Sequence, residues 1–201
     1  MSGEAGPPPV VIEEHGSLAV LRIDRPARRN SLSVATLASL DAAFSSLSAR
    51  ADIRAVIFTG TGDAFASGAD IRELLTLTPE TARDFAGRGQ NLFQRIADAR
   101  QLTVAAVNGY CMGGGLDLAL ACRLRVAAPA AVFAHPGARL SIITGWGGTQ
   151  RLPRLIGAPR ALEMFTTARR LSADEALSFG LVTHLHPDAL ARALELASDR
   201  A

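Results

Sequence analysis

Apolar and polar positions alternate along the stretch PVVIEEHGSLAVLRID. A period of two predicts two strands, Val10 to Glu14 and Leu18 to Asp24, folded back on each other at a His15–Gly16 turn. In NSLSVATLASLDAAFSSLSAR the period lengthens, with Leu37, Leu40, Phe44 and Leu47 at helical spacing behind a serine cap. IRAVIFTG then reads as a buried strand. A glycine-bearing loop, TGTGDAFASGAD, leads into helical patterns near Ile71 to Leu75 and Pro79 to Ala99, and Leu102 to Val107 reads as another strand.

Beyond Val107 the segment NGYCMGGGLDLALACR places three glycines just ahead of a helical pattern. LRVAAPAAVFAHP supplies two short strands, GGTQRLPRLIG and PRALEMFTTA are helical, and SADEALSFG carries a capping box at Ser172 and Glu175. A strand, LVTHL, and a helix from about Asp188 complete the pattern. Strands alternating with helices of this length predict an α/β domain with crossover connections. The expected organisation is a frayed tail over residues 1–9 and one domain over 10–201. Little apolar material would bury the last helix, so an incomplete end or docking on a partner is expected.

Composition narrows the function. A chain of 201 residues, 48% hydrophobic and 20% charged, can bury most of its surface in one core, and a net charge of +2 from interspersed acids and bases gives no reason to expect nucleic-acid binding. All 21 Lys and Arg positions are arginine. With no lysine there is no Schiff-base chemistry, no pyridoxal phosphate anchor and no lysine-dependent phosphate loop. Cys111 and Cys122 are too few for a metal knuckle, and no apolar run reaches a membrane span, so a reducing cytoplasmic setting and no metal are expected.

The glycine run has a physical reading. A helix starting at Gly113 to Gly115 offers unpaired N–H groups and a partial positive charge, with no side chain to block an anionic atom. Asp117 follows Gly114 by three residues, about one turn along the same face. Amides that stabilise a negative oxygen, with a proton-transfer group one turn away, suit chemistry at a carbonyl. Alternatively, the glycines serve tight packing and Asp117 only complements the helix start. The loop FASGAD has the same character near Ala69 and Asp70, where Asp70 equally reads as an ordinary helix-start residue.

FASGADI, AAVNGYCMGGGLDLALAC and GWGGTQRLPRLIGAPRALEM together resemble the crotonase superfamily, the enoyl-CoA hydratase and isomerase family. The resemblance runs in order from about Val10 to His184. It implies the ClpP/crotonase fold, a superhelix of repeated strand-strand-helix units, with a C-terminal helical region that is short or missing in this chain. It also implies a homotrimer or dimer of trimers acting on an acyl-CoA or enoyl-CoA thioester, with CoA part of the substrate and no separate cofactor. The thioester oxygen would be held as an enolate by the amides of Ala69 and Gly114. Ala66, Gly68, Asp70, Ile71, Gly113, His135, Gly137 and Trp146 would border the substrate, and Arg28, Arg29 and Arg72 would meet the CoA phosphates.

Family hydratases carry two glutamates, which match Asp117 and Gly137 here. Asp117 is one methylene shorter and Gly137 has no carboxylate, so the two-carboxylate mechanism is not carried over intact. Dienoyl isomerase relatives carry the aspartate, but their other acids match Gly137 and Gly145. A lyase or isomerase reaction, hydration or double-bond isomerisation with Asp117 as acid/base, is the expected function; the alternatives are a non-catalytic acyl-CoA binder or a decarboxylase of a malonyl-type thioester. His135 lies beside the missing carboxylate and could assist. Arg123 stands for a usual acid, and Ser141 for a usual glycine. A dinucleotide loop at Gly60 and Gly62, a hydrolase pair of Ser67 and His135, and a metal pair of His184 and His186 all lack their supporting patterns.

Overall fold

The computed structural model describes residues 8–199, so most of the expected tail lies outside the described residues. The opening hairpin is β1, Val10–His15, paired antiparallel to β2, Leu18–Ile23. The first helix, α1 over Val34–Ser48, is capped by the Ser33 hydroxyl, which accepts from the Thr36 amide.

Next come three strand pairs. They are β3, Ala55–Gly60, with β4, Ala64–Ala66; β5, Leu102–Val107, with β6, Tyr110–Met112; and β7, Leu124–Ala127, with β8, Val132–Ala134. The first strand of each pair joins a six-stranded sheet and the second a four-stranded one. Helices α2, Ile71–Leu74, and α3, Pro79–Ala97, follow the first pair, and α4, Gly114–Ala121, follows the second. The remaining elements are α5, Gly148–Ile156; α6, Ala158–Thr167; β9, Leu171–Ser172; α7, Ala173–Ser178; β10, His184–Leu185; and α8, Ala189–Ser198. The large sheet runs β1-β2-β3-β5-β7-β10 and the small one β4-β6-β8-β9. The strand-strand-helix repeat expected from the sequence is present.

Two apolar clusters hold the layers together. Leu21, Ile23, Val56, Phe58, Ala105 and Val107 turn one face of the large sheet into the main core with α1, α3 and α4. Val20, Ile57, Val104 and Ala106, the alternating residues, meet Ala189, Ala193 and Ala197 on one stripe of α8. Small side chains four apart let that helix lie close to the strands.

Ala64 to Ala66, within the expected loop, and Tyr110 to Met112, ahead of the glycine run, are both strands. Gly60 and Gly62 therefore lead into β4, not into a dinucleotide-binding helix. The final strand is shorter than LVTHL, covering His184–Leu185. Among the described residues no helix is long and apolar enough to cross a membrane, and no group of three metal-ligating side chains occurs.

Candidate active site

Parallel pairing of β4 with β6 sets the FASGAD loop beside the glycine run that follows β6. The Leu32 amide donates to the Gly68 carbonyl at 2.8 Å and pins that loop. Gly68 has φ +95, and a β-carbon on it would lie 2.9 Å from the Met112 carbonyl oxygen and 3.1 Å from the Gly114 amide. Glycine is needed there on both conformational and steric grounds. A β-carbon on Gly114 would in turn lie 3.5 Å from the Ala69 nitrogen. The two amides are thus neighbours, and neither donates to an acceptor among the described residues.

These amides border a cavity of about 670 Å³. Gly68, Asp70, Ile71, Gly113, His135, Gly137 and Trp146 line it with Ala69 and Gly114, and the exposed Arg28, Arg29 and Arg72 stand at its edge. Ala66 is not on this wall: it is buried in β4, where its carbonyl abuts Gly115 of α4. Ser31, Ser67, Phe85, Thr144 and Phe165 also line the cavity, as do the exposed Leu140, Ile142 and Ile143. Apart from Ser67, weighed above only as half of a hydrolase pair, the loop residues Ser31 and Thr144 carry no periodic signal that would single them out.

Trp146 is both wall and core. Its ring is wedged against Gly114 and Gly89, and it contacts Phe85 and Phe93 at ring-centroid distances of 5.3 and 5.7 Å. A β-carbon on Gly114 would overlap the indole. The ring therefore fixes where α4 begins. At its other end, Cys122, Ala119 and Leu181 offer carbonyls to the buried Arg125 guanidinium, which donates to them at 2.5, 3.5 and 2.6 Å. A cation at a helix C-terminus is favoured by the aligned peptide dipoles.

Asp117, in the first turn of α4, is fully buried and lies behind the cavity wall. Its Oδ2 accepts from the Thr144 hydroxyl and from the Trp146 amide at 3.2 Å. Its Oδ1 has no donor and lies 3.6 Å from His135 Nε2. Burial pushes the Asp117 pKa up to about 6, only partly offset by Thr144, the Trp146 amide, the Arg151 charge and the nearby Gly148 amide. Burial holds His135 down at about 4, and neither of its ring nitrogens has a partner.

Position 137 is closed to a side chain. The Ile142 amide donates to the Gly137 carbonyl at 3.0 Å, and a β-carbon on Gly137 would overlap the Ile142 carbonyl. Ser141 has φ +55, a left-handed conformation costing a non-glycine residue about 1–2 kcal/mol, which accounts for a glycine being usual there. Arg123 is exposed and donates to the Ala99 carbonyl at 2.6 Å. His184 and His186 bond to Thr183 and Asp188 and assemble no metal set.

Residues 13–198 match the family model described as enoyl-CoA hydratase/isomerase. A crotonyl-CoA hydratase of Syntrophomonas wolfei is 41% identical over 174 residues, spanning 86% of this chain and 67% of that relative. A short-chain-enoyl-CoA hydratase of Clostridium acetobutylicum is 39% identical over the same shares. The crystal structure of an enoyl-CoA hydratase from Bacillus anthracis superposes with a TM-score of 0.91 at 36% identity, covering 95% of this chain and 76% of that one.

Proposed function

We propose that this chain, which belongs to the enoyl-CoA hydratase/isomerase family, binds an acyl-CoA thioester in the 670 Å³ cavity and stabilises its enolate between the Ala69 and Gly114 amides. The observation that carries this reading is the pair of adjacent, unpaired N–H groups on the cavity wall. Each such donor, aimed at a developing oxyanion, is worth roughly 10²- to 10³-fold in kcat. Arg28, Arg29 and Arg72 supply guanidinium forks for the phosphates of CoA at the cavity edge. The apolar wall of Phe85, Trp146 and Phe165 takes the acyl chain.

Double-bond isomerisation fits the site better than hydration. Hydration needs a water placed between two proton-transfer groups, and position 137 offers neither a carboxylate nor room for one. Moving a double bond from the β,γ to the α,β position needs one unit that takes a proton from Cα and returns it to Cγ. Asp117, with the imidazole beside it, is that unit. A second reading draws on the burial of Asp117 behind the wall: decarboxylation of a malonyl-type thioester, or binding without turnover, needs only the amide pair.

Calorimetry with hexanoyl-CoA is expected to give saturable heat, and 3-hexenoyl-CoA is expected to yield the conjugated 2-enoyl product. No heat at millimolar hexanoyl-CoA would overturn the reading. Product formation from methylmalonyl-CoA without isomerisation would favour the second.

A further inference from the structure

We infer that Asn30 is a positioning residue that joins two parts of the site: it holds the turn that offers Arg28 and Arg29 to the phosphates of CoA, and through that turn it aims the Ala69 N–H at the thioester oxygen. The inference rests on the acyl-CoA reading of the cavity and deepens it. Asn30 is fully buried and does not line the cavity, whereas its neighbours Arg29 and Ser31 do. Its side chain bonds only to backbone. Oδ1 accepts from the Arg25 amide at 2.9 Å, and Nδ2 donates to the Thr61 carbonyl at 2.9 Å and the Ala64 carbonyl at 2.6 Å. With Arg29 at φ +47 and Asn30 at φ +54, the turn needs a residue that tolerates the left-handed region, which asparagine does. Bonds to groups 31 and 34 residues away go beyond that need and make the side chain a tether.

The tether lays the turn along the start of β4, and backbone bonds continue the contact past the end of that strand. The Ser67 amide donates to the Arg29 carbonyl at 3.0 Å and the Leu32 amide to the Gly68 carbonyl at 2.8 Å, with a single bridge pairing Leu32 and Ala69. The second bond decides the aim of the donor. The Gly68 C=O and the Ala69 N–H belong to one planar peptide unit and point in opposite directions, so fixing the oxygen on Leu32 turns the hydrogen away from Leu32. The Ala69 nitrogen lies beside Gly114 on the cavity wall. Accepting a hydrogen bond at that oxygen also polarises the peptide and strengthens its N–H as a donor. Beyond Ala69 the same two segments stay joined, with the Ser31 hydroxyl donating to Asp70 Oδ2 at 3.4 Å and the Val34 amide to Glu73 Oε2 at 2.8 Å.

The other end of the turn is exposed. Arg28 and Arg29 stand there, the Arg29 guanidinium 5.7 Å from the centre of the Tyr110 ring. Contact with a phosphate restrains this end, and Asn30 passes the restraint to the peptide that carries the donor. The non-reacting end of the substrate thus contributes to holding charge at the reacting carbonyl, and not only to holding the substrate. A pantetheine thioester presents the same carbonyl but leaves the turn without its phosphate.

The test combines isotope-edited infrared spectroscopy of hexanoyl-CoA carrying ¹³C at its thioester carbonyl, calorimetric Kd values, and amide hydrogen exchange of the ligand-free protein read by NMR. Asn30→Gly leaves the left-handed backbone accessible and removes only the side-chain amide. Binding to the wild-type chain is expected to lower the carbonyl stretching frequency. Asn30→Gly is expected to keep about half of that shift, because one of two donors loses its aim, with hexanoyl-CoA Kd within about threefold of wild type. In the same variant the Leu32 and Ser67 amides are expected to exchange faster by roughly tenfold or more over and above any change in the β5 amides, which report global stability. Equal acceleration of both sets, with the full wild-type shift of the bound carbonyl, would mark a merely structural role and overturn the inference. Hexanoyl-pantetheine on the wild-type chain is expected to show a smaller shift than hexanoyl-CoA, and an equal shift would also overturn it. If Asn30→Gly does not fold, that comparison decides. Absent heat with hexanoyl-CoA would instead strike the acyl-CoA reading, and the exchange ratio would then decide the positioning role on its own.

Discussion

Gly137→Glu would put a carboxylate where the family's two-carboxylate hydratases carry their second one, yet the structure argues against any gain. The Ile142 carbonyl occupies the place of the new β-carbon, and the Ile142-to-Gly137 hydrogen bond of 3.0 Å closes the turn over it. Backbone cannot swing aside as a flexible side chain does, so relief means opening the segment from Pro136 to Ile142. Overpacking of this kind costs about 1–3 kcal/mol, and at this chain length each kcal/mol lowers Tm by about 2–4 °C. Gly137→Ala alone is therefore expected to melt about 2–12 °C lower. Gly137→Glu should do the same or worse, and the opened turn would carry Leu140 and Ile142 off the cavity wall. The assay is thermal unfolding alongside the loss of ultraviolet absorbance as crotonyl-CoA is hydrated. A Gly137→Glu protein with wild-type Tm and new hydratase activity would refute the reasoning outright.

The Asp117 pKa, raised to about 6, makes the native state bind the extra proton between pH 4 and 6, so its stabilising contribution is lost as pH rises through that window; His135, lowered to about 4, does the reverse between pH 6.5 and 4. Each amounts to about 3 kcal/mol and the two nearly cancel, so Asp117→Asn should become more stable as pH rises from 4 to 6.5 and His135→Gln less stable from 4 to 6. Parallel urea-unfolding profiles for the two variants would disprove the pairing. Gly113 has φ +51 and ψ −120 with open space around its Cα, so Gly113→Ala should cost about 1–3 kcal/mol through backbone strain alone. Gly114→Ala must also displace the indole and should weaken hexanoyl-CoA binding more than Gly113→Ala, as calorimetry would report. Arg125→Met leaves the Cys122 and Leu181 carbonyls unmatched at about 1–3 kcal/mol each; a change below 0.5 kcal/mol in urea unfolding would contradict the assignment of Arg125 as the cap of α4.

The architecture was readable wherever a period ran long enough. The β1–β2 hairpin, the Ser33 cap, β5 and the Ser172–Glu175 capping box sit where the pattern puts them. Strands β4 and β6 are three residues each, too short for an alternation to register, and β4 lies among glycines. The spacing from Gly114 to Asp117 placed the carboxylate on the correct turn but not its depth. That depth is set by Thr144 and Trp146, 27 and 29 residues away, which fold over it from another segment. Likewise the glycine at 137 was legible as a missing carboxylate, whereas the closed turn behind it depends on Ser141 taking a left-handed conformation.

The indole of Trp146 touches both the cavity proposed to take an acyl tail and Gly114, the first residue of α4, whose amide is proposed to hold the thioester oxygen. A tail long enough to press on that ring must lever the peptide unit at Gly114. Chain-length preference would then be felt as a loss of turnover and not only as weaker binding, because a single rigid aromatic plate serves as both measuring stick and hinge stop.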